Sequence, residues 1–279
     1  MELFILLSAV VGLAIGSFLN VVVHRVPAGL SIVAPPSRCP GCEQEIAWYD
    51  NIPVLSWLLL RGKCRHCGAP ISPRYLIVEV LTAVAFALVT WWWWPQIEHS
   101  PDGGILAANC VLLAAWLFFA AVSIALAVID METHRLPNVI VLPAIVVSTV
   151  LLTVATILAG DWTLLRDAVI GGAALFAFYL IVALISPRGM GFGDVKLAGL
   201  VGLQLGWFGW QAVVMGGFAA FLIGGVVGIV LLLLGRATRK SGIPFGPYML
   251  AGAWIGMVVG VDILTWYLTL MGVGPGQGL

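Results

Sequence analysis

Two pairs of cysteines have the spacing of a metal site. They stand in the segments Cys39-Pro-Gly-Cys42 and Cys64-Arg-His-Cys67, which are separated by 21 residues. Each CxxC segment turns both sulfurs toward one point, and two such segments supply the four thiolates of a tetrahedral Zn²⁺ site. Gly41 and Gly68 are expected to permit the tight turns. The alternative is two disulfides or four unrelated thiols, but disulfides rarely persist in the cytoplasm, where the charge pattern described below places this segment.

We therefore expect one zinc ion bound by these four cysteines. A site filled by four protein ligands has no open position for a substrate, so the zinc is expected to be structural.

A second candidate chemistry comes from the few carboxylates at membrane depth, where ionisable groups are costly and are functional candidates by default. They are Glu79, Asp130, Asp194 and Asp262. Asp130 follows a long apolar run that ends at Ile129, and Asp194 follows the turn Gly191-Phe192-Gly193. Two carboxyl groups that meet can share one proton, so that one activates a water while the other polarises a peptide carbonyl.

Simpler interpretations exist for both aspartates. Asp130 could face water at a helix end, and Asp194 could cap the next helix. The glycines beside Asp194 favour the catalytic interpretation, because they let a peptide backbone approach closely. Glu79 and Asp262 are left out of the predicted catalytic pair. The sequence contains no HExxH, GxSxG or Walker lysine motif that would indicate another hydrolase chemistry.

The elements that position these residues must be membrane helices. Hydrophobic residues make up 61% of the 279-residue chain and charged residues only 9%, against about 25% charged in soluble domains. This composition predicts an all-α polytopic membrane protein. Apolar runs of the length that a membrane helix needs lie near 2–23, 76–94, 106–129, 139–159, 168–187, 211–234 and 247–272. The shorter stretch 197–210 is expected to be an eighth span, tilted or covered by protein.

The distribution of basic residues supports eight spans. Twelve of the 13 Lys and Arg residues fall in the connections 24–75, 130–138, 188–196 and 235–246, which eight crossings place on one side. The positive-inside rule assigns that side to the cytoplasm and both termini to the outside. The predicted organisation is a first helix (1–23), a cytoplasmic zinc-binding insert (24–75) and a transmembrane core (76–279). A net charge of zero gives no support for nucleic-acid binding.

These features together resemble one family, the type IV prepilin peptidases. The resemblance runs nearly end to end, and its motifs are Gly16-Ser17-Phe18-Leu19-Asn20-Val21-Val22, His24-Arg25-Val26-Pro27, the two cysteine pairs, Asp50-Asn51-Ile52-Pro53-Val54-Leu55-Ser56-Trp57, Ile71-Ser72-Pro73-Arg74-Tyr75, Val78-Glu79, Asp130 with Leu136-Pro137-Asn138, Gly191-Phe192-Gly193-Asp194-Val195-Lys196 and Pro244-Phe245-Gly246-Pro247. Each motif alone is modest evidence, whereas all of them in order are highly specific.

The resemblance implies a bifunctional enzyme of the bacterial inner membrane. It implies an aspartic peptidase that cuts prepilins and prepilin-like secretion proteins on the cytoplasmic face, with Asp130 and Asp194 at the catalytic positions. It also implies methylation of the new N-terminus from S-adenosylmethionine and a zinc site at the four cysteines. The residues that bind the methyl donor do not follow from the resemblance.

Two other classes of protein remain as alternatives. A proton-coupled transporter also uses intramembrane aspartates, but it usually has broken helices in repeated halves. A zinc-bearing membrane scaffold would explain the insert but not the turn before Asp194.

Overall fold

The computed structural model describes residues 1–186, 190–236 and 243–272, and within these ranges every extended element is a helix. The helices are α1 (Glu2–Arg25), α2 (Leu55–Leu59), α3 (Pro73–Glu98), α4 (Gly103–Thr133), α5 (Asn138–Ala159), α6 (Trp162–Ile185), α7 (Phe192–Trp207), α8 (Trp210–Leu233), α9 (Gly246–Ile255) and α10 (Val261–Leu270). A π-helical turn, Gly256–Gly260, joins α9 to α10. The all-α prediction is confirmed. Three of the basic residues used for the topology, Arg188, Arg239 and Lys240, lie outside the described residues.

Seven of the described helices are long and apolar enough to cross a membrane, with α9, the π turn and α10 counted as one. The predicted eighth span corresponds to α7, which is not among these seven helices: it has 16 residues and is therefore about 24 Å long, shorter than the roughly 30 Å hydrocarbon core. It begins five residues earlier than the sequence predicts and ends three residues earlier.

The chain folds as two compact units. The first unit contains residues 1–101 and 113–125. In it α1 lies directly against α3, because two glycines of α1 face the α3 backbone. A Cβ on Gly12 would lie 2.8 Å from Ala83 Cα, and a Cβ on Gly16 would lie 2.7 Å from Glu79 Cα. The Thr90 hydroxyl of α3 donates to the Ser8 hydroxyl of α1 at 2.7 Å.

The second unit contains residues 102–112 and 126–279, and α7 lies at its centre. The α7 helix contacts α5, α6, α8 and α9, and its residues from Leu200 to Trp207 are all buried. Its closest neighbour is α6: a Cβ on Gly171 would lie 2.6 Å from the Gly202 carbonyl oxygen. The second half of the short helix is thus covered by protein, which is one of the two alternatives that the sequence predicts, whereas Phe192 at its start is exposed.

Candidate active site

Asp130 is a buried carboxyl group near the end of α4. The helix continues to Thr133, so Asp130 lies inside its last turns and not after it, and only 4% of the residue is exposed. The backbone N–H of Gly246, the first residue of α9, donates to Asp130 Oδ2 at 3.0 Å. This contact joins positions 116 residues apart. It also excludes the simpler interpretation of Asp130 as a solvated helix end.

A Pro-Phe-Gly-Pro turn presents the Gly246 N–H to Asp130. A Cβ on Gly246 would lie 2.7 Å from Asp130 Oδ2, so only glycine leaves room for the carboxylate here. The preceding residue, Phe245, is held by an aromatic cluster. Its ring lies 5.2 Å from the ring of Phe221 and 6.0 Å from that of Tyr179, and Tyr179 stacks on Phe221 at 5.5 Å. This packing fixes the turn that binds Asp130.

Asp194 lies in the first turn of α7 and not in a loop before it. Because α7 begins at Phe192, the side chain points back over the helix start, where Asp194 Oδ2 accepts a hydrogen bond from the N–H of Gly191 at 3.1 Å. It therefore caps its own helix from the third helical position. The residue is half-buried, and the positive end of the helix dipole stabilises a carboxylate at this position.

The two aspartates belong to the same small region of the second unit. Gly193, the residue beside Asp194, and Gly246, the residue whose N–H binds Asp130, both lie against the same side chain, Leu136. Leu136 packs closely against both glycines. A Cβ on Gly193 would lie 3.0 Å from Leu136 Cβ, and a Cβ on Gly246 would lie 3.4 Å from Leu136 Cδ2. The backbone space beside Gly193 is thus occupied by Leu136, where the sequence suggested an approaching peptide.

The four predicted zinc ligands form a cluster in the insert of the first unit. The Sγ atoms of Cys39, Cys42, Cys64 and Cys67 all lie within 4.8 Å of one another, and Cys39 Sγ lies 3.7 Å from Cys67 Sγ. Zn–S bonds of about 2.3 Å at tetrahedral angles require sulfurs about 3.8 Å apart. The cluster therefore fits a Zn²⁺ ion, and the disulfide alternative is not adopted because all four cysteines are free.

The two CxxC segments repeat one local structure. In the first, Cys39 N–H donates to the Gln44 carbonyl at 3.0 Å; in the second, Cys64 N–H donates to the Ala69 carbonyl at 2.8 Å. The left-handed position of the second turn is Gly68 (φ +71°), and the matching residue of the first is Glu43 (φ +57°). The prediction that Gly41 provides this turn is thus wrong. Gly41 is instead crowded, since a Cβ there would lie 3.1 Å from Ala69 Cβ.

Comparison with known proteins gives two family matches that cover most of the chain. Residues 10–93 match the bacterial peptidase A24 N-terminal domain, and residues 117–232 match the type IV leader peptidase family. A prepilin leader peptidase/N-methyltransferase of Aeromonas hydrophila is 37% identical over 92% of this chain and 91% of its own length. The chain belongs to the type IV leader peptidase family.

Other relatives with the same name agree with this assignment. The protein of Stutzerimonas stutzeri is 33% identical over 95% of this chain and 94% of its own length. The protein of Pseudomonas aeruginosa is 33% identical over 96% of this chain and 95% of its own length. No solved structure matches the chain.

Within this type IV leader peptidase, the two carboxylates left out of the predicted pair lie elsewhere. Asp262 is exposed in the first turn of α10. Glu79 is buried in α3, in the first unit. The sequence motifs indicate no part in the site for Leu136 or Tyr179, although Leu136 packs against Gly193 and Gly246 and Tyr179 packs against Phe245. Leu136 stands in the Leu136-Pro137-Asn138 motif, but a Leu and a Tyr in an apolar run carry no chemical signal of their own.

An ion pair between Arg65 and Asp50 connects the second CxxC segment to the turn Trp48–Asn51 of the insert. The Arg65 guanidinium donates to both carboxylate oxygens of Asp50, with Nη2–Oδ1 at 2.6 Å and Nε–Oδ2 at 2.9 Å. These hydrogen bonds from Arg65 lower the pKa of Asp50 below its ordinary value. The guanidinium also lies over the Tyr49 ring, 5.6 Å from its centroid. The turn Trp48–Asn51 is thus tied to the cysteine cluster.

We expect Gly246→Ala to reduce leader cleavage while leaving the fold intact. The new methyl group would displace the flexible end of Asp130 rather than backbone, so the loss of stability should be small. A displacement of about 1 Å at a reacting group costs on the order of 10²-fold in rate. The measurement is the initial cleavage rate in detergent at matched melting temperature. Gly225→Ala in α8, where a Cβ would meet nothing within 4 Å, is the control. Equal rates for both variants would show that the Gly246 contact does not position Asp130.

We expect Glu43→Gly to slow the loss of zinc to a chelator. A non-glycine residue in the left-handed region costs about 1–2 kcal/mol, and glycine removes that cost. The reciprocal variant is Gly68→Ala, at the matching position of the second turn. It adds the same cost without a clash, since a Cβ there would meet nothing within 4 Å. It should therefore speed zinc loss. If both variants lost zinc faster than wild type, or both lost it more slowly, the two turns would not be equivalent.

Proposed function

We propose that this chain cleaves the N-terminal leader of type IV prepilins and related pseudopilins at the cytoplasmic face of the bacterial inner membrane. Asp130 and Asp194 are the catalytic pair. The observation that carries this proposal is their arrangement: the end of α4 and the start of α7 bring two carboxyl groups into one region, because Gly246, which binds Asp130, and Gly193, which precedes Asp194, both pack against Leu136. The family membership and the printed name of the relatives support the same activity.

The two helix ends favour different roles for the aspartates. Asp194 lies at the positive end of α7 and accepts the Gly191 N–H, which suits a carboxylate acting as base. Asp130 lies near the negative end of α4, which suits the protonated partner. Asp194 takes a proton from water as the water oxygen bonds to the peptide carbonyl carbon, while Asp130 hydrogen-bonds to the carbonyl oxygen. The C–N bond then breaks and the leaving amine receives the proton.

The cytoplasmic placement rests on the basic residues. Arg25 and Arg74 flank the insert and Arg135 follows α4, in the connections that eight crossings would place on the same side as Asp130 and Asp194. Basic residues at helix ends mark the cytoplasmic side. Prepilin leaders would then reach the aspartates from the compartment in which prepilins are made, while the apolar segment of the substrate stays in lipid.

We propose a second activity, methylation of the new N-terminus, because the relatives carry the name N-methyltransferase. S-adenosylmethionine, when bound, supplies a methyl group on a cationic sulfur. The four cysteines hold a structural Zn²⁺, which leaves no open coordination position and takes no part in either reaction. Its contribution is to fix the insert, whose described segments include only short helical pieces.

The test uses purified full-length protein and a purified prepilin with its leader and apolar segment. The expected product is a pilin shortened at the leader, with its N-terminus heavier by one methyl group when the methyl donor is present. A transporter or a scaffold would leave the prepilin intact, and an intact prepilin after incubation with folded, zinc-loaded protein would refute the proposal.

A further inference from the structure

A large cavity lies within the first unit. Its volume is about 750 Å³, and it lies between the end of α1, the insert and the start of α3. Pockets for small ligands range from about 300 to 1,000 Å³ and combine apolar walls with a few placed polar groups. Apolar and aromatic residues such as Val21, Trp57 and Tyr75 line it. The peptidase function uses none of these residues.

Asn20 contributes an unsatisfied acceptor to the wall of this cavity. The residue is 2% exposed. Its side-chain amide N–H donates to the Tyr75 carbonyl at 3.0 Å, whereas Oδ1 is buried and has no hydrogen-bond partner. Leaving a buried acceptor unpaired costs about 1–3 kcal/mol, and such a group in a native protein calls for a partner. A ligand N–H or O–H in the cavity would supply it.

Glu79 contributes a buried carboxyl group to the same wall. The residue is 8% exposed, and its side chain accepts a hydrogen bond from the Val54 N–H at 2.7 Å. Val54 has φ +62° and ψ −51°, a conformation that is costly for a β-branched residue. Backbone strain of this kind concentrates at binding sites. Here it directs a backbone N–H to the carboxyl group.

We propose that this cavity is the binding site for S-adenosylmethionine, with Glu79 and Asn20 as its polar anchors. The inference rests on the proposed methyl transfer. The donor is a cationic nucleoside: it carries a sulfonium, an ammonium, ribose hydroxyls and an adenine amino group. A buried carboxyl group is complementary to the cationic part, and Asn20 Oδ1 accepts from an N–H or O–H of the nucleoside. The Trp57 ring, whose Nε1–H donates to the Ile71 carbonyl at 3.4 Å, offers a fixed apolar face for adenine.

Methyl transfer from the donor to the pilin amine needs no further reagent. The pilin N-terminal amine, in its neutral form, forms the new N–C bond as the S–C bond breaks, and the bonding pair stays on sulfur. The nitrogen then loses one proton to water, and S-adenosylhomocysteine is released.

The experiment measures equilibrium binding of radiolabelled S-adenosylmethionine to the full-length, zinc-loaded protein in lipid nanodiscs. We expect saturable binding that S-adenosylhomocysteine displaces. Glu79→Gln and Asn20→Leu should each weaken it roughly 10- to 100-fold, because each removes an anchor that no other group replaces. Thr90→Val is the matched control. Thr90 is buried on the same helix as Glu79 and bonds to Ser8, but it does not line the cavity, so binding should be unchanged.

A second measurement does not depend on the folding of variants. Ultraviolet crosslinking of the labelled donor to the wild-type protein, followed by peptide mapping, should mark residues between 17 and 79, with Trp57 and Tyr75 the expected positions. A label confined to residues 117–232 would overturn the assignment, as would normal binding by both variants.

Donor binding and prepilin cleavage are separate readouts, so a failure of the proposed donor site can be distinguished from a failure of the proposed peptidase function. Wild-type protein that shortens a prepilin but binds no donor overturns the site and leaves the peptidase standing. Wild-type protein that binds the donor in this cavity but leaves the prepilin intact supports the site and overturns the peptidase.

Discussion

Replacing Cys39 and Cys42 with serine should release the zinc and unfold the insert. Serine hydroxyls do not replace thiolates as ligands, and two remaining cysteines cannot complete the tetrahedron. Structural zinc contributes on the order of 10 kcal/mol of apparent folding free energy in small domains, far more than a segment with one five-residue helix can supply by packing. Elemental analysis should fall from one zinc per chain to none. Limited proteolysis should cut between residues 26 and 72 while the helices stay protected.

The fifth cysteine provides the control for this experiment. Cys110 is exposed on α4, outside the cluster, so Cys110→Ser should keep its zinc and its resistance to proteolysis. If the double variant keeps one zinc, or if wild-type protein purified without chelator contains none, the four-cysteine site is wrong.

Replacing Asp130 or Asp194 with asparagine should reduce leader cleavage by at least roughly 10³-fold. Asparagine keeps the size of the side chain and its acceptor oxygen, so the Gly246 N–H and the Gly191 N–H keep a partner. It cannot take or give up a proton, and the water is then not activated. The initial rate of prepilin shortening measures the effect. Asp262→Asn serves as control, since Asp262 is an exposed carboxyl on α10 and should keep nearly the wild-type rate.

The features that follow from local pattern are predictable from this sequence. Apolar runs specify the membrane helices, because the bilayer demands internally satisfied backbone. The cysteine cluster also follows, because CxxC spacing alone brings two sulfurs together. Even so, the sequence assigns the turn position of the first pair to Gly41, whereas the structure uses Glu43. Left-handed backbone is easy for glycine but is also adopted by other residues when their neighbours hold it there.

The start of α7 shows where local pattern is insufficient. Glycine is a poor helix former, so Gly191-Phe192-Gly193 suggests a loop and moves the predicted helix start to residue 197. The structure begins the helix at Phe192, because glycines of α6 and α7 let the two backbones touch and this packing outweighs propensity. The partners of Asp130 were equally hidden, since Gly246 lies 116 residues away.

The cavity of the first unit also depends on contacts between distant residues. The sequence alone leaves Glu79 out of the predicted catalytic pair and predicts no contact for it. Only the fold shows that it accepts from the Val54 N–H of the insert and that Gly16 of α1 packs against its Cα. No spacing rule connects residues 16, 54 and 79, so this wall of the cavity could not be predicted from the sequence.

The most direct test of the central claim is a single-turnover comparison with enzyme in excess over prepilin. It uses wild type, Asp130→Asn, Asp194→Asn and Asp262→Asn, each with one zinc per chain and the same melting temperature in detergent. Wild type and Asp262→Asn should shorten the prepilin completely, whereas either of the other two variants should leave it intact over the same time. Shortening at near the wild-type rate by a well-folded Asp130→Asn or Asp194→Asn protein would show that the two aspartates are not the catalytic pair.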